Sequence, residues 1–169
     1  MKLTKEECSQ IINQAENGTW NVVDEYKTRY SSQHYITLPT SVKVKLKAYC
    51  ISNLNIVVHR FRQITLLKYD VGDKFARHVD HRQGHPHTFD RVYNFNVRLN
   101  DDYEGGVFYL EGKPIIKEVG EIYNYRSSQY HKVDPVTKGV RYLLASFLHQ
   151  EDFTRLDKYD KDINKTYLI

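Results

Sequence analysis

The run Ala76-Arg77-His78-Val79-Asp80 sets an imidazole and a carboxylate two residues apart. On an extended segment, side chains at i and i+2 leave the same face, so His78 and Asp80 would present a nitrogen and an anionic oxygen side by side. Such a pair is two-thirds of the two-histidine, one-carboxylate facial set that binds Fe(II). Taken alone the spacing carries little. With 8 His and 12 Asp in the chain, roughly half of all shuffles of this composition contain a His-x-Asp. The plain alternative is a surface histidine beside a turn aspartate.

A second cluster changes the balance. His131 opens the run His131-Lys132-Val133-Asp134-Pro135-Val136, and Arg141 follows ten residues later at the head of a strand-like run. A third, neutral ligand from a distant strand would complete the facial set and leave three coordination positions for a chelating co-substrate and O2. A guanidinium on the neighbouring strand would take the far carboxylate of an acidic co-substrate as a bidentate pair.

Three motifs stand in order over about residues 66–147. They are Tyr69-Asp70-Val71-Gly72-Asp73-Lys74-Phe75-Ala76-Arg77-His78-Val79-Asp80, then Leu99-Asn100-Asp101-Asp102-Tyr103-Glu104-Gly105-Gly106, then His131 through Tyr142. Together they resemble the prolyl 4-hydroxylase-like branch of the Fe(II)/2-oxoglutarate-dependent oxygenases. The resemblance implies a mainly β fold: a double-stranded β-helix (jelly-roll) core buttressed by two or more N-terminal helices. It implies that His78, Asp80 and His131 bind Fe(II), that Arg141 pairs with the 5-carboxylate of 2-oxoglutarate, and that Tyr69 is a pocket tyrosine. For Tyr69 the competing reading is a core strand aromatic.

The resemblance also implies an enzyme, a 2-oxoglutarate-dependent dioxygenase. It would use Fe(II), 2-oxoglutarate as co-substrate and O2, with ascorbate as a candidate auxiliary reductant. Its reaction would hydroxylate a C–H bond while 2-oxoglutarate is oxidatively decarboxylated to succinate and CO2. By analogy the substrate is a peptide or protein side chain. Three alternatives compete. One is an oxygenase acting on a small molecule or nucleobase; nucleic-acid repair members usually carry a second arginine in the final strand, and residues 142–147 hold none. Another is a non-catalytic metal-binding β-helix module, which would be expected to lose a ligand or the arginine. The third is a zinc hydrolase, which uses His and Asp but has no need of Arg141.

One position departs from the pattern. The residue before Leu99-Asn100 is often Tyr in the animal prolyl hydroxylases, where it supports the co-substrate carboxylate; here it is Arg98. If strand 92–99 alternates, Asn94, Asn96 and Arg98 share a face, with Tyr93, Phe95, Val97 and Leu99 on the apolar one. An inward polar face is costly unless it lines a site, so Asn94, Asn96 and Arg98 are expected to be co-substrate pocket residues. The alternative is a solvated face.

The elements that must hold these groups follow from local patterning. Thr4 with Glu7 makes a capping box, and Cys8, Ile11, Ile12 and Ala15 follow at helical spacing, with Asn17-Gly18 as a stop. A second helix is expected after Pro39-Thr40-Ser41, carrying Val42, Leu46, Tyr49, Cys50 and Leu54. Short β-rich runs then occupy 63–69, 92–99, 106–110, 115–117, 121–125 and 141–148, separated by turn signals. Gly105-Gly106 is expected to turn tightly and to pack too closely for a side chain. The tail is polar, with Phe153, Leu156 and Tyr159 as anchors of a short helix. In His81-Arg82-Gln83-Gly84-His85-Pro86-His87, the Gly and Pro favour a substrate-facing or disordered loop over a second metal site. The expected plan is one domain over 1–169: a helical buttress to about residue 60, a β-helix core over about 61–150, and the tail 151–169.

Composition sets the boundaries. Hydrophobic residues are 40% and charged residues 27%, the profile of a soluble globular protein. Residues 1–14 lack an apolar signal-peptide core, and no run approaches a membrane span, so the expectation is a cytoplasmic protein without a membrane partner. Two cysteines without paired spacing read as buried thiols in a reducing compartment and exclude a CxxC-type metal site. The net charge of +4 gathers in the first half, where 1–85 hold 13 Lys/Arg against 8 Asp/Glu. A solvated face explains that excess as well as a nucleic-acid partner does, so nucleic acid ranks below a peptide partner.

Overall fold

The computed structural model describes residues 1–16, 18–25, 29–61, 64–81 and 90–156. The first helix, α1 (Lys5–Glu16), begins at the expected capping box. The Thr4 N–H donates to Glu7 Oε2 (2.8 Å) and the Glu7 N–H donates to Thr4 Oγ1 (3.1 Å), satisfying two donors the helix itself leaves open. Two strands follow, β1 (Asn21–Glu25) and β2 (Arg29–Tyr35). Helix α2 (Thr40–Leu54) starts directly after Pro39 and stops where Asn55 adopts a left-handed conformation, its N–H returning to the Cys50 and Ile51 carbonyls.

The remaining elements are nearly all strands. They are β3 (Ile56–Val58), β4 (Ile64–Tyr69), β5 (Lys74–His78), β6 (Arg91–Arg98), β7 (Glu104–Gly105), β8 (Phe108–Leu110) and β9 (Lys113–Ile115). Then come β10 (Ile122–Arg126), β11 (His131–Val133), β12 (Val136–Lys138), β13 (Arg141–His149) and, after a single 3-10 turn, β14 (Phe153–Arg155). One antiparallel sheet runs β10-β6-β13-β4-β2-β5-β11-β8-β9, with β1 joined to β2. It curls on itself into a jelly-roll-like half-barrel, and two separate two-stranded pairings join β12 with β7 and β14 with β3.

The helices lie against the outer face. Val42, Leu46 and Cys50 are spaced four apart on α2, and Cys8, Ile11 and Ala15 three and then four apart on α1, so each helix buries one stripe. These meet Ile64 and Leu66 of β4, Tyr93, Phe95 and Val97 of β6, and Leu144 and Leu148 of β13 in one apolar cluster. The inner face holds a smaller cluster of different character: Tyr69, Phe108, Tyr123, Tyr125, Val133 and Val136.

Three expectations need correcting. The stretch to residue 60 is not wholly helical: it contributes β1, β2 and β3, and β2 bridges β4 and β5 within the main sheet. Its sequence, Arg-Tyr-Ser-Ser-Gln-His-Tyr, has no apolar run, so its strand form comes from pairing on both edges rather than from propensity. The tail around Phe153 forms a strand, not a helix, because Phe153, Thr154 and Arg155 pair with Val58, Val57 and Ile56; Tyr159 lies outside the described residues. The strand expected at 115–117 sits earlier, at Lys113–Ile115, because Glu111 and Gly112, both at positive φ (48° and 77°), make a two-residue hairpin after β8.

Candidate metal centre and co-substrate pocket

Strand β5 ends on His78 and β11 begins on His131, and the two are direct partners in the antiparallel ladder. Asp80 lies two residues beyond His78, where the chain leaves the sheet. Its N–H and that of His81 both donate to the Ser127 carbonyl at 2.9 Å, which fixes the exit of the chain. One side-chain ligand atom from each of His78, Asp80 and His131 falls within 4.8 Å of the others. His131 Nε2 is 3.1 Å from Asp80 Oδ2, and His78 Nε2 is 3.5 Å from Asp80 Oδ1.

Both imidazoles are oriented by their far nitrogens. His78 Nδ1–H donates to the Ala76 carbonyl (2.7 Å) and His131 Nδ1–H to the Gln129 carbonyl (3.0 Å). A carbonyl only accepts, so each Nδ1 carries the proton and each Nε2 offers its lone pair to the common point. Phe75 stacks on the His78 ring at 3.6 Å and Tyr125 tilts against His131 at 4.8 Å. The carboxylate is held as firmly: Asn94 Nδ2 donates to Asp80 Oδ2, and Ser127 Oγ donates to Asn94 Oδ1 (2.7 Å). Burial alone would raise the Asp80 pKa. The close contacts of the His131 and His78 rings outweigh it and hold the carboxyl well below the usual carboxylate range.

A cavity of about 360 Å³ opens from this cluster into the barrel. Its walls include Leu67, Tyr69, Val133, Leu143 and Asn96, with the half-exposed Tyr35 at its edge. Arg141 lies on the same face of β13 as Leu143, one residue pair further on, opposite Tyr69 in the ladder. It is 3% exposed, its guanidinium carbon is 5.1 Å from the Tyr69 ring, and its Nη1 is buried without a hydrogen-bond partner among the described residues. Gly106 packs against it: a Cβ there would come within 2.9 Å of Arg141 Cδ. At Gly105 the same atom would meet the Pro135 carbonyl oxygen at 2.5 Å. The expected close approach at this glycine pair is thus realised.

The donor set fits a ferrous ion. His78 Nε2 is buried and lacks a hydrogen-bond partner, and it faces a second imidazole nitrogen and a deprotonated carboxylate. The partnerless Arg141 Nη1 is likewise matched to an anionic group at the other end.

The structure separates the other expected pocket residues. Tyr69 and Asn96 line the cavity. Asn94 is turned to Asp80, so it supports a ligand side chain and does not face the co-substrate space as expected. Arg98 must be corrected. Its Nε donates to the Asn100 carbonyl (2.9 Å) and its Nη1 to the Lys117 carbonyl (2.8 Å), outside the cavity. The alternation was sound, because Leu143 pairs with Arg98 as Ala145 does with Asn96. However, Arg98 is the last residue of β6, and its long side chain reaches the turn carbonyls beyond the sheet end. Of the 81–87 segment only His81 is described; the expectation of a substrate-facing loop lies outside the described residues. Sequence reasoning passed over Arg29 and Arg91, which stand on the cavity wall, and Tyr125 and Ser127 beside the cluster. The alternation of Tyr123 and Tyr125 was the one signal that pointed there.

Two imidazoles and one carboxylate on one side of a point leave half an octahedron free, which is the coordination habit of non-haem Fe(II) oxygenases. The chain belongs to the 2OG-Fe(II) oxygenase superfamily, whose family model matches residues 64–149. This family of dioxygenases uses Fe(II), 2-oxoglutarate and O2. A PKHD-type hydroxylase of Gloeothece citriformis is 25% identical over 157 residues, 85% of this chain and 71% of that one. Another, of Methylobacillus flagellatus, is 35% identical over 106 residues, 53% of this chain and 43% of its own. The chain thus spans less than half the length of the second relative.

Solved structures show the same double-stranded β-helix. The viral collagen prolyl hydroxylase of Paramecium bursaria Chlorella virus-1, in its 2-oxoglutarate complex, superposes with a TM-score of 0.69 at 18% identity, over 86% of this chain and 90% of that one. A Trichoplax adhaerens prolyl hydroxylase, in complex with a hypoxia-inducible-factor peptide fragment, gives 0.65 at 19% identity, over 86% and 77%. No helix among the described residues is long and apolar enough to cross a membrane.

Proposed function

We propose that this chain is an Fe(II)- and 2-oxoglutarate-dependent hydroxylase acting on a peptide or protein side chain. His78, Asp80 and His131 would hold the metal, and Arg141 the far carboxylate of the co-substrate. The observation that carries the reading is the convergence of the His78, Asp80 and His131 ligand atoms within 4.8 Å, each imidazole locked by a backbone carbonyl.

Once bound, the ferrous ion and 2-oxoglutarate supply the oxidising chemistry, O2 being divided between succinate, with release of CO2, and a hydroxyl on the substrate carbon. The chain supplies the rest. His78 and His131 contribute neutral nitrogens at fixed angles, and Asp80 a charge that Asn94 and Ser127 keep from rotating. Leu67, Val133 and Leu143 give the cavity beside the metal cluster apolar walls that would disfavour water there. A peptide substrate is supported by the prolyl hydroxylase neighbours, one of which holds a peptide. The same reading takes residues 1–169 as one domain in the cytoplasm; the free, buried Cys8 and Cys50 support the latter.

Anaerobic Fe(II) with 2-oxoglutarate should give a weak visible charge-transfer band. Its absence from folded protein would remove the metal and co-substrate assignment. Succinate release should then be screened over proline-containing peptides, nucleosides and small metabolites. Release with a peptide that gains one oxygen atom is expected, whereas release with nucleosides or metabolites alone would sink the peptide assignment.

A further inference from the structure

Two cations stand on the cavity wall in addition to the groups assigned to metal and co-substrate. Arg29 opens β2 and Arg91 opens β6, and both line the space beside the metal cluster. Among the described residues Asp80 is the one acidic side chain of that wall, and it belongs to the metal. With metal and co-substrate bound, the formal charges of the ferrous ion, Asp80, the two carboxylates of 2-oxoglutarate and Arg141 cancel. Arg29 and Arg91 are then in excess, in a cleft whose low-dielectric walls strengthen the field of both.

Neither cation is neutralised by its neighbours. Arg29 Nε donates to Ser31 Oγ (3.0 Å) and its Nη2 to Gln33 Oε1 (3.3 Å), both uncharged oxygens. Its guanidinium carbon is 4.9 Å from the centre of the Phe75 ring, which stacks in turn on His78. The Arg91 guanidinium carbon is 3.9 Å from the centre of the Phe147 ring, and its Nε is buried without a hydrogen-bond partner among the described residues. The two carboxylates whose fields reach Arg91 are engaged by other groups: Asp80 by the imidazole pair and Asn94, Asp90 by the His149 ring at 2.7 Å. A buried cationic donor left open costs free energy that an arriving anion would recover.

Their place in the barrel points to the substrate. Arg141 begins β13, whereas Arg91 pairs with His149 at the far end of the same strand. The co-substrate carboxylate is assigned to the Arg141 end, so the Arg91 end, with Tyr35 at the cavity edge, is the one left for the substrate. On an unmodified peptide the matching anion is a carboxylate, which a planar guanidinium grips bidentately.

We propose that Arg29 and Arg91 select an acidic peptide, docking a substrate carboxylate close in space to the carbon that is hydroxylated. This rests on the peptide reading above and deepens it by naming the charge of the substrate. The carboxylate belongs to an Asp or Glu side chain or to the peptide C-terminus.

The test offers degenerate nonapeptides to the Fe(II)-loaded protein, held anaerobically with 2-oxoglutarate, and sequences the retained pool by mass spectrometry. One library has both ends blocked and the other a free C-terminus. Retained blocked peptides should favour Asp or Glu over Asn or Gln by about tenfold or more, placing the carboxylate on a side chain. The same preference for free-ended over blocked peptides would place it at the C-terminus. Arg29→Gln combined with Arg91→Gln should erase the preference and leave the charge-transfer band unchanged. Lys43→Gln combined with Lys47→Gln removes equal charge from α2 and should leave the preference intact.

A retained pool without carboxylate preference would overturn the proposal. So would a preference that survives the arginine pair of substitutions, or one lost equally with the lysine pair. A weakened band in the arginine variant would assign these cations to the co-substrate and overturn it too. Failure of the unaltered protein to form the band would instead overturn the metal and co-substrate reading, and retention of no peptide at all would overturn the peptide reading and this inference with it. Should the double arginine variant fold poorly, Arg29→Gln and Arg91→Gln are read singly, each expected to lower the preference, and no change in either overturns the idea.

Discussion

On β6 the side chains facing the helices are Tyr93, Phe95 and Val97, whereas Asn94 and Asn96 face inward. The same division runs through β4, with Ile64 and Leu66 outward and Thr65, Leu67 and Tyr69 inward, and through β13, with Leu144 and Leu148 outward and Arg141 inward. The outer face is an aliphatic and aromatic core shared with two helices. The inner face is a smaller cluster of three tyrosines, two asparagines and a buried cation. Period-two alternation lets one set of strands carry both. The outer face therefore sets stability and the inner face sets chemistry, so substitutions on the two should separate cleanly.

The sharpest break of that division comes from the metal cluster. Asp80→Ala should abolish Fe(II) binding and turnover while leaving the thermal midpoint of the metal-free protein near its starting value. A collapse of the fold would show that the inner face is structural too. From the other side, Phe95→Ala empties a site that is 2% exposed. It should cost about 3–5 kcal/mol in denaturant unfolding, with metal affinity of the folded fraction unchanged.

Arg141→Ala tests the deep end of the inner face. Losing a bidentate charged pair should weaken 2-oxoglutarate binding by about 100-fold or more, while Fe(II) affinity is retained. Unchanged co-substrate affinity would place the carboxylate elsewhere. Asn94→Ala removes the donor to Asp80 and should lower metal affinity by about 10–100-fold, measured by competition with a chelator.

The smallest effect belongs to the outer face. Burial pushes the Cys50 thiol from 9.0 up to about 12 and Cys8 up to about 11. A thiol raised to about 12 is ionised to only about one part in 10⁴ at pH 8, so native Cys50 should resist alkylation until the protein unfolds. Because the folded thiols hold their protons longer than unfolded ones, their contribution to stability is complete below pH 9. It is lost as pH rises toward 11 and 12. Denaturant midpoints measured across that range should fall; a flat profile would mean the two thiols reach water in the native state.

Much of this arrangement was legible residue by residue. The capping box at Thr4 and Glu7, the start of α2 after Pro39, the inward asparagines of β6 and the close packing at Gly105-Gly106 all rest on local rules of spacing and sterics. What was missed shares one feature. Strand β2 reads as polar and featureless because its strand form is imposed by β1 along one edge and by β4 and β5 along the other. Strand β14 likewise exists because β3 offers it an edge. Arg98 followed the alternation rule and still left the cavity, since a strand's last residue is free to turn toward carbonyls that only the folded chain brings near.

The sequence by itself determined which side chains are able to do chemistry and that His78 and Asp80 leave one face, because both are set by covalent spacing and strand period. Only the tertiary structure decided that His131, more than fifty positions away, pairs across a ladder with His78, and that Asn94 and Ser127 lock the carboxylate between them. It also decided that Arg141 is buried with an open donor. Long-range pairing follows from how strands close on one another, and a linear pattern carries no information about which distant edges will meet.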